Sequence, residues 1–161
     1  MNPQYPPFMF GYGIIASIFA KIQSLDAPEV FSHDFLRFTL GFSRESDRAF
    51  IPLAKRTGLL TVEGKPTELY VRLRDPVQAA DAVAEAMKLG YAVFYAKHAA
   101  AHELDRKMLA GIVTEVTGLA HGHASARAIV GTFLALKAAA SPRVAVPRAG
   151  NRRKLPERRG G

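Results

Sequence analysis

The sequence predicts a mainly α protein with one short β-hairpin, and three observations carry that prediction. Apolar residues recur at spacings of three and four through most of the chain, the period of a helix face. Ser, Asp, Gly and Pro stand at the ends of those runs, where helix caps and stops belong. Leu59–Val62 breaks the pattern: it is a short apolar run followed by the turn pair Glu63-Gly64, a strand-and-turn signal. With 161 residues, 48% hydrophobic and 22% charged, the chain suffices for one domain with a real core plus a tail.

The elements follow in order. Residues 1–10 hold three prolines and read as an extended lead-in to a single domain over 11–140. Ile14, Ile15, Ile18, Phe19 and Ile22 predict a first helix from about Gly13 to Ser24, stopped at Asp26-Ala-Pro28. Ser32 is placed as the N-cap of a second helix to Leu40, with Phe35, Leu36, Phe38 and Leu40 supplying bulk, and Gly41 ends it. A turn through 43–46 leads into a third helix with Ala49, Phe50, Leu53 and Ala54 facing inward. Pro52, which cannot donate to the carbonyl four residues back, bends or opens it, and Gly58 closes it. Thr67–Leu73 suits either a returning strand or a short helix, and Pro66-Thr67-Glu68 favours the helix. Pro76–Ala96 is a long amphipathic helix in which Gly90 either splits the rod or allows a close helix contact. Asp105–Thr117 and Ser125–Ala140 are two more helices. Phe35, Phe38, Phe50, Leu53, Leu59, Leu69, Phe94 and Phe133 are the expected core. The segments 40–51 and 118–130 share a glycine turn and a Ser-x-Arg-Ala start, either a chance echo or two related units.

Helix, helix, glycine-containing turn, helix and hairpin is the order of a winged helix-turn-helix. The expected fold is therefore a winged helix-turn-helix-like unit at about 30–75 with a helical second half packed on it. In DNA-binding versions the third helix carries long donors toward phosphates and base edges. Arg44, Arg48, Lys55 and Arg56 are available there, Lys65 sits at the hairpin tip, and Arg72 and Arg74 lie beyond it. Arg48 and Lys55 are two turns apart and share a face. Glu45, Asp47 and Pro52 weigh against a groove-reading rod, and the alternative is that these charges only solvate a core-forming helix.

Charge is localised in the same way. The net +8 divides into +6 over 141–161 and +2 over the rest, and within that body residues 37–74 carry +4 while 1–36 carry −2 and 75–140 are neutral. The tail, including Arg152, Arg153 and Lys154, has few large apolar residues and is expected to be disordered. It is either a solubilising extension or an electrostatic arm for nucleic acid, which releases counterions from phosphates.

Most enzyme classes find no residues here. Without cysteine there is no disulfide, thiolate metal site or thiol nucleophile. His98 and His102 are four apart but lack the Glu directly after the first that a zinc protease helix needs, so they read as a helix-end pair in solvent; His121-Gly-His123 reads as a turn. Phosphate-binding loops, nucleophile elbows and apolar carboxylate pairs are missing, so no catalytic residue, metal or cofactor is expected. The longest apolar run, Phe8–Ala20, is 13 residues, short of the about 20 that cross a bilayer, and no Lys or Arg precedes it as in a secretory signal. A cytoplasmic protein without a membrane partner is the expectation.

Three blocks carry a resemblance: Phe35-Leu-Arg-Phe-Thr-Leu-Gly-Phe42, Ser46-Asp-Arg-Ala-Phe-Ile-Pro-Leu-Ala-Lys-Arg-Thr-Gly-Leu-Leu60 and Gly64-Lys-Pro-Thr-Glu-Leu-Tyr-Val-Arg-Leu-Arg-Asp75. It continues at Val83-Ala-Glu-Ala86, Gly90-Tyr91 and Val130-Gly-Thr-Phe-Leu-Ala-Leu-Lys137. Over roughly 10–140 the chain is similar to a prokaryotic family catalogued as domain of unknown function 5343. The resemblance implies a small helical, helix-turn-helix-like domain and transfers no activity. The expected function is non-enzymatic nucleic-acid binding, most plausibly of duplex DNA, in regulation or genome maintenance. The alternative is a protein-contact module, a homodimer or adaptor on the same scaffold.

Overall fold

The computed structural model of the protein describes residues 5–141. Among the described residues seven α-helices run in chain order: α1 (Ile15–Ser24), α2 (Phe50–Arg56), α3 (Glu68–Arg74), α4 (Ala79–Gly90), α5 (Ala92–Lys97), α6 (Arg106–Thr117) and α7 (Ala124–Ala140). Several of their ends are those the sequence marks. Ser32 Oγ accepts from Phe35 N–H at 3.1 Å, Thr67 Oγ1 from Tyr70 N–H at 3.4 Å and Asp105 Oδ1 from Met108 N–H at 2.9 Å, each quenching a donor that the first turn leaves unpaired. Gly118, in the left-handed region at φ 78°, terminates α6.

At the centre lies α7. Its residues 128–133 are buried without a break, so this stretch is covered on every side rather than along one stripe. α4 and α6 pack along it. The polar exception is Thr132, fully buried, whose hydroxyl accepts from Met9 N–H at 3.1 Å and donates toward the carbonyls of Ala128 (2.7 Å) and Met9 (3.2 Å). Residues 5–10 thus form a strap across the core, with Pro6, Pro7 and Met9 buried. The Tyr91 hydroxyl donates to Pro7 C=O at 2.6 Å and pins the strap a second time. Gly131 makes room for this arrangement, because a Cβ there would overlap the Tyr12 ring.

Two aromatic clusters fill the remaining volume. Phe19, Phe31, Phe35, Phe50 and Tyr70 meet at centroid separations of 5.0 to 6.2 Å. Tyr91, Phe94, Tyr95 and Phe133 do the same at 5.0 to 6.3 Å. Gly90 both splits the long helix and allows a close contact. The rod breaks at Tyr91, and a Cβ at Gly90 would come within 2.7 Å of Thr57.

The short β-hairpin is not there, and with it goes the wing. Among the described residues there is no strand; 59–66 is a tight turn closed by one bridge, Leu60 to Pro66. Three local features prevent a ladder. Leu59 and Leu60 are both buried, so the segment does not alternate between faces. Their N–H groups both return to the Ala54 carbonyl, at 2.9 and 3.1 Å, as part of the α2 C-terminal cap at Gly58. Pro66 has no N–H to extend the pairing. Thr67–Leu73 resolves as the helix α3.

The second and third helices also differ from expectation. Residues 33–39 widen into a π turn over Phe35–Thr39, where Leu40 N–H donates to Phe35 C=O at 3.0 Å. Leu36 and Leu40 face the core while Phe35 is half-buried and Phe38 is 72% exposed, so Phe38 is not a core residue. The third helix is a 3-10 segment, Glu45–Ala49, running into α2. Pro52 sits in the first turn of α2, where no intrahelical donor is required, so the change of winding absorbs it.

Thr132→Val keeps the volume but strands the Met9 amide in the core. It should lower stability by about 1–3 kcal/mol with an unchanged denaturant slope in urea unfolding. Burial also raises the phenols of Tyr70, Tyr91 and Tyr95: Tyr70 is pushed up to about 12 despite the opposing field of Arg74, and Tyr91 is raised further. Folding therefore favours the neutral phenols. Their contribution is complete below the unfolded value near 10; that of Tyr70 is lost as pH rises through about 12, and that of Tyr91 only at higher pH. Urea midpoints should fall between pH 9 and 12, and the Tyr70→Phe, Tyr91→Phe double variant should show a flatter decline.

Candidate nucleic-acid interface

The basic residues singled out in the sequence separate into two groups. Arg44, Arg72 and Arg74 are engaged in holding the fold. Asp47, only 2% exposed, accepts from Arg44 N–H at 3.1 Å, and its other oxygen lies 3.3 Å from the Arg44 guanidinium, closing the start of the 3-10 segment. Arg72 meets Glu85 at 2.7 Å and ties α3 to α4; that hydrogen bond holds the Glu85 carboxyl below its usual range. Arg74 Nε donates to Leu25 C=O at 2.8 Å, with Asp26 at 3.6 Å, and fastens α3 to the end of α1. Arg56 is half-buried, and its charge acts on the Tyr91 phenol.

Arg48, Lys55 and Lys65 form the second group. All three are exposed, and no carboxylate among the described residues pairs with them. Arg48 and Lys55 still share a face although the winding changes between them. Two steps of a 3-10 helix followed by five of an α-helix return to within about 20° of the starting azimuth. Lys65 stands on the 59–66 turn just after α2, its backbone bonded both ways to Thr61 at 2.8 and 3.0 Å.

Two grooves flank Arg48 and share His33, Glu45 and Arg48 as their common wall. One, of about 290 Å³, is polar and takes in Asp34, Arg37 and Arg44. The other, of about 420 Å³, has an apolar floor of Phe8, Phe10, Ala49 and Pro52. Phe10 is 60% exposed, and Arg37 lies 5.1 Å above the ring of Phe38. Phe10, His33 and Arg37 were not among the expected contact residues. Phe10 joins the site only because the strap is docked, which no local pattern shows.

Among the described residues no three His, Asp or Glu side chains lie together as a metal site would require. His98 and His102 fall on different elements, the end of α5 and the 3-10 turn Ala101–Glu103. No helix of the described residues is long and apolar enough to cross a membrane. Arg152, Arg153 and Lys154 lie outside the described residues.

Among the described residues the domain is helical and without strands, and its exposed cations lie on the 3-10 segment, α2 and the 59–66 turn. Residues 7–144 match the family of unknown function DUF5343, and the chain belongs to that family. No curated protein and no solved structure matches it.

The division of labour among the charges has a measurable consequence. Asp47→Ala removes an acceptor from the start of the 3-10 segment and should cost about 1–2 kcal/mol. Arg48→Ala and Lys55→Ala should leave the urea midpoint within the equivalent of about 0.5 kcal/mol.

Proposed function

We propose that this chain is a non-enzymatic nucleic-acid-binding protein, meeting the phosphates of duplex DNA with the face of Arg48 and Lys55, in a regulatory or genome-maintenance role. The observation that carries the reading is the selective freedom of these cations. Arg44, Arg72 and Arg74 are tied to carboxylates or a carbonyl, whereas Arg48, Lys55 and Lys65 face solvent with no carboxylate partner among the described residues. Each released counterion then favours binding, and the aromatic rings of Phe10 and Phe38 beside Arg48 and Arg37 offer stacking surfaces of the kind nucleic-acid proteins use. Without a wing, contact rests on the helix and the 59–66 turn.

A second reading, a protein-contact module, is supported by the apolar floor of the 420 Å³ groove, since a mixed-charge rim around exposed aromatic surface also suits a protein partner. Salt dependence separates the two. The full chain should bind a generic duplex with a steep log–log salt slope. Arg48→Ala with Lys55→Ala should shrink that slope by about 1.8, two phosphates' worth, with the tail intact. An unchanged slope removes the proposed face. Failure of the full chain to retain duplex even at low salt favours the protein-contact reading.

A further inference from the structure

Away from this face, a groove of about 560 Å³ opens between the C-terminal halves of α4 and α7 and is closed at one end by α5 and the 3-10 turn Ala101–Glu103. Its volume lies in the range that small-molecule sites occupy. Ala84, Met87, Tyr95 and Ala140 provide an apolar floor. Lys88 of α4 and Lys137 of α7 line the groove from facing helices. Neither forms an ion pair with a carboxylate among the described residues. The one acid in the lining, Glu103, has its carboxylate 4.0 Å from Nε2 of His102, and the His102 ring in turn stacks on Tyr95 at 5.9 Å.

Lysines in the last turn of a helix commonly do no more than complement the helix dipole. What sets this pair apart is that both reach the rim of the same apolar groove. Their stems extend the floor while their charges stay at the solvent edge. The Lys88 charge also acts on the neighbouring Glu85 carboxyl, but neither lysine lies within ion-pair distance of an acid among the described residues, and an apolar floor rimmed by two such cations complements an amphiphile of opposite charge. We propose that this groove is a binding site for a small organic anion, an apolar or aromatic body seated on Met87 and Tyr95 with its carboxylate held by Lys88 and Lys137.

Phenylbutyrate and its uncharged analogue phenylbutanol test this on the full chain by amide chemical-shift mapping. Phenylbutyrate should perturb residues around Ala84, Lys88, Tyr95 and Ala140. Lys88→Gln with Lys137→Gln should weaken it at least tenfold while changing phenylbutanol little. Ala140→Trp, which fills the groove and keeps both cations, should abolish binding of both compounds. Thermal unfolding of each variant checks that the fold is retained. Equal phenylbutyrate affinity in the double lysine variant overturns the proposal. So do shifts centred on the Arg48 face, persistence of binding in Ala140→Trp, or no perturbation by phenylbutyrate at all.

Discussion

Thr132 places a hydroxyl within the stretch of α7 that is buried on every side, where a hydroxyl without partners would cost stability. Met9, 123 residues away, supplies a backbone donor and acceptor there, with Ala128 taking the remaining contact. That one pairing fixes where the first residues of the domain lie. Two residues before Met9, Pro7 C=O receives the Tyr91 hydroxyl, so the same strap is tied to the break between α4 and α5. On either side of Met9, Phe8 and Phe10 are delivered to the groove beside Arg48. Core, helix break and candidate interface therefore share one anchor.

The charges obey a similar economy. Arg72 and Arg74 each reach across to another element, and Arg74 is held chiefly by its bond to the Leu25 carbonyl, because an exposed partner such as Asp26 contributes little. Arg48, Lys55 and Lys65 hold nothing together. A residue that contributes little to folding is free to be selected for contact with something else, and this is why the unpaired group, rather than the larger sum of charge over 37–74, supports the functional reading.

Much of the fold was legible because helix ends are written in local chemistry. Ser32, Thr67 and Asp105 are caps whose partners lie three residues on, and Gly58 and Gly118 adopt the left-handed turns that favour glycine. The hairpin was misread because Leu59–Val62 fits a strand by residue type, while what decides it is that Leu59 and Leu60 are buried side by side as the end of a helix cap. Phe38 shows a missed local signal: Leu36 and Leu40, four apart, define the inward face, and a residue two positions from Leu36 lies opposite it. Partner choice was the least legible. Whether an arginine on α3 meets Glu85, Leu25 or solvent depends on tertiary packing, so Arg72 and Arg74 looked like Arg48. The burial of Pro6, Pro7 and Met9 was equally hidden, since prolines mark an extended chain without saying what it lies against.

The most direct measurement of the binding face is an amide chemical-shift titration of the full chain with a generic duplex at low salt. The account predicts the largest perturbations at 45–56 and around Lys65, extending to Phe10 through the strap, with Arg72, Arg74 and the centre of α7 unmoved. Perturbations confined to 142–161, with residues 5–141 silent, would contradict it.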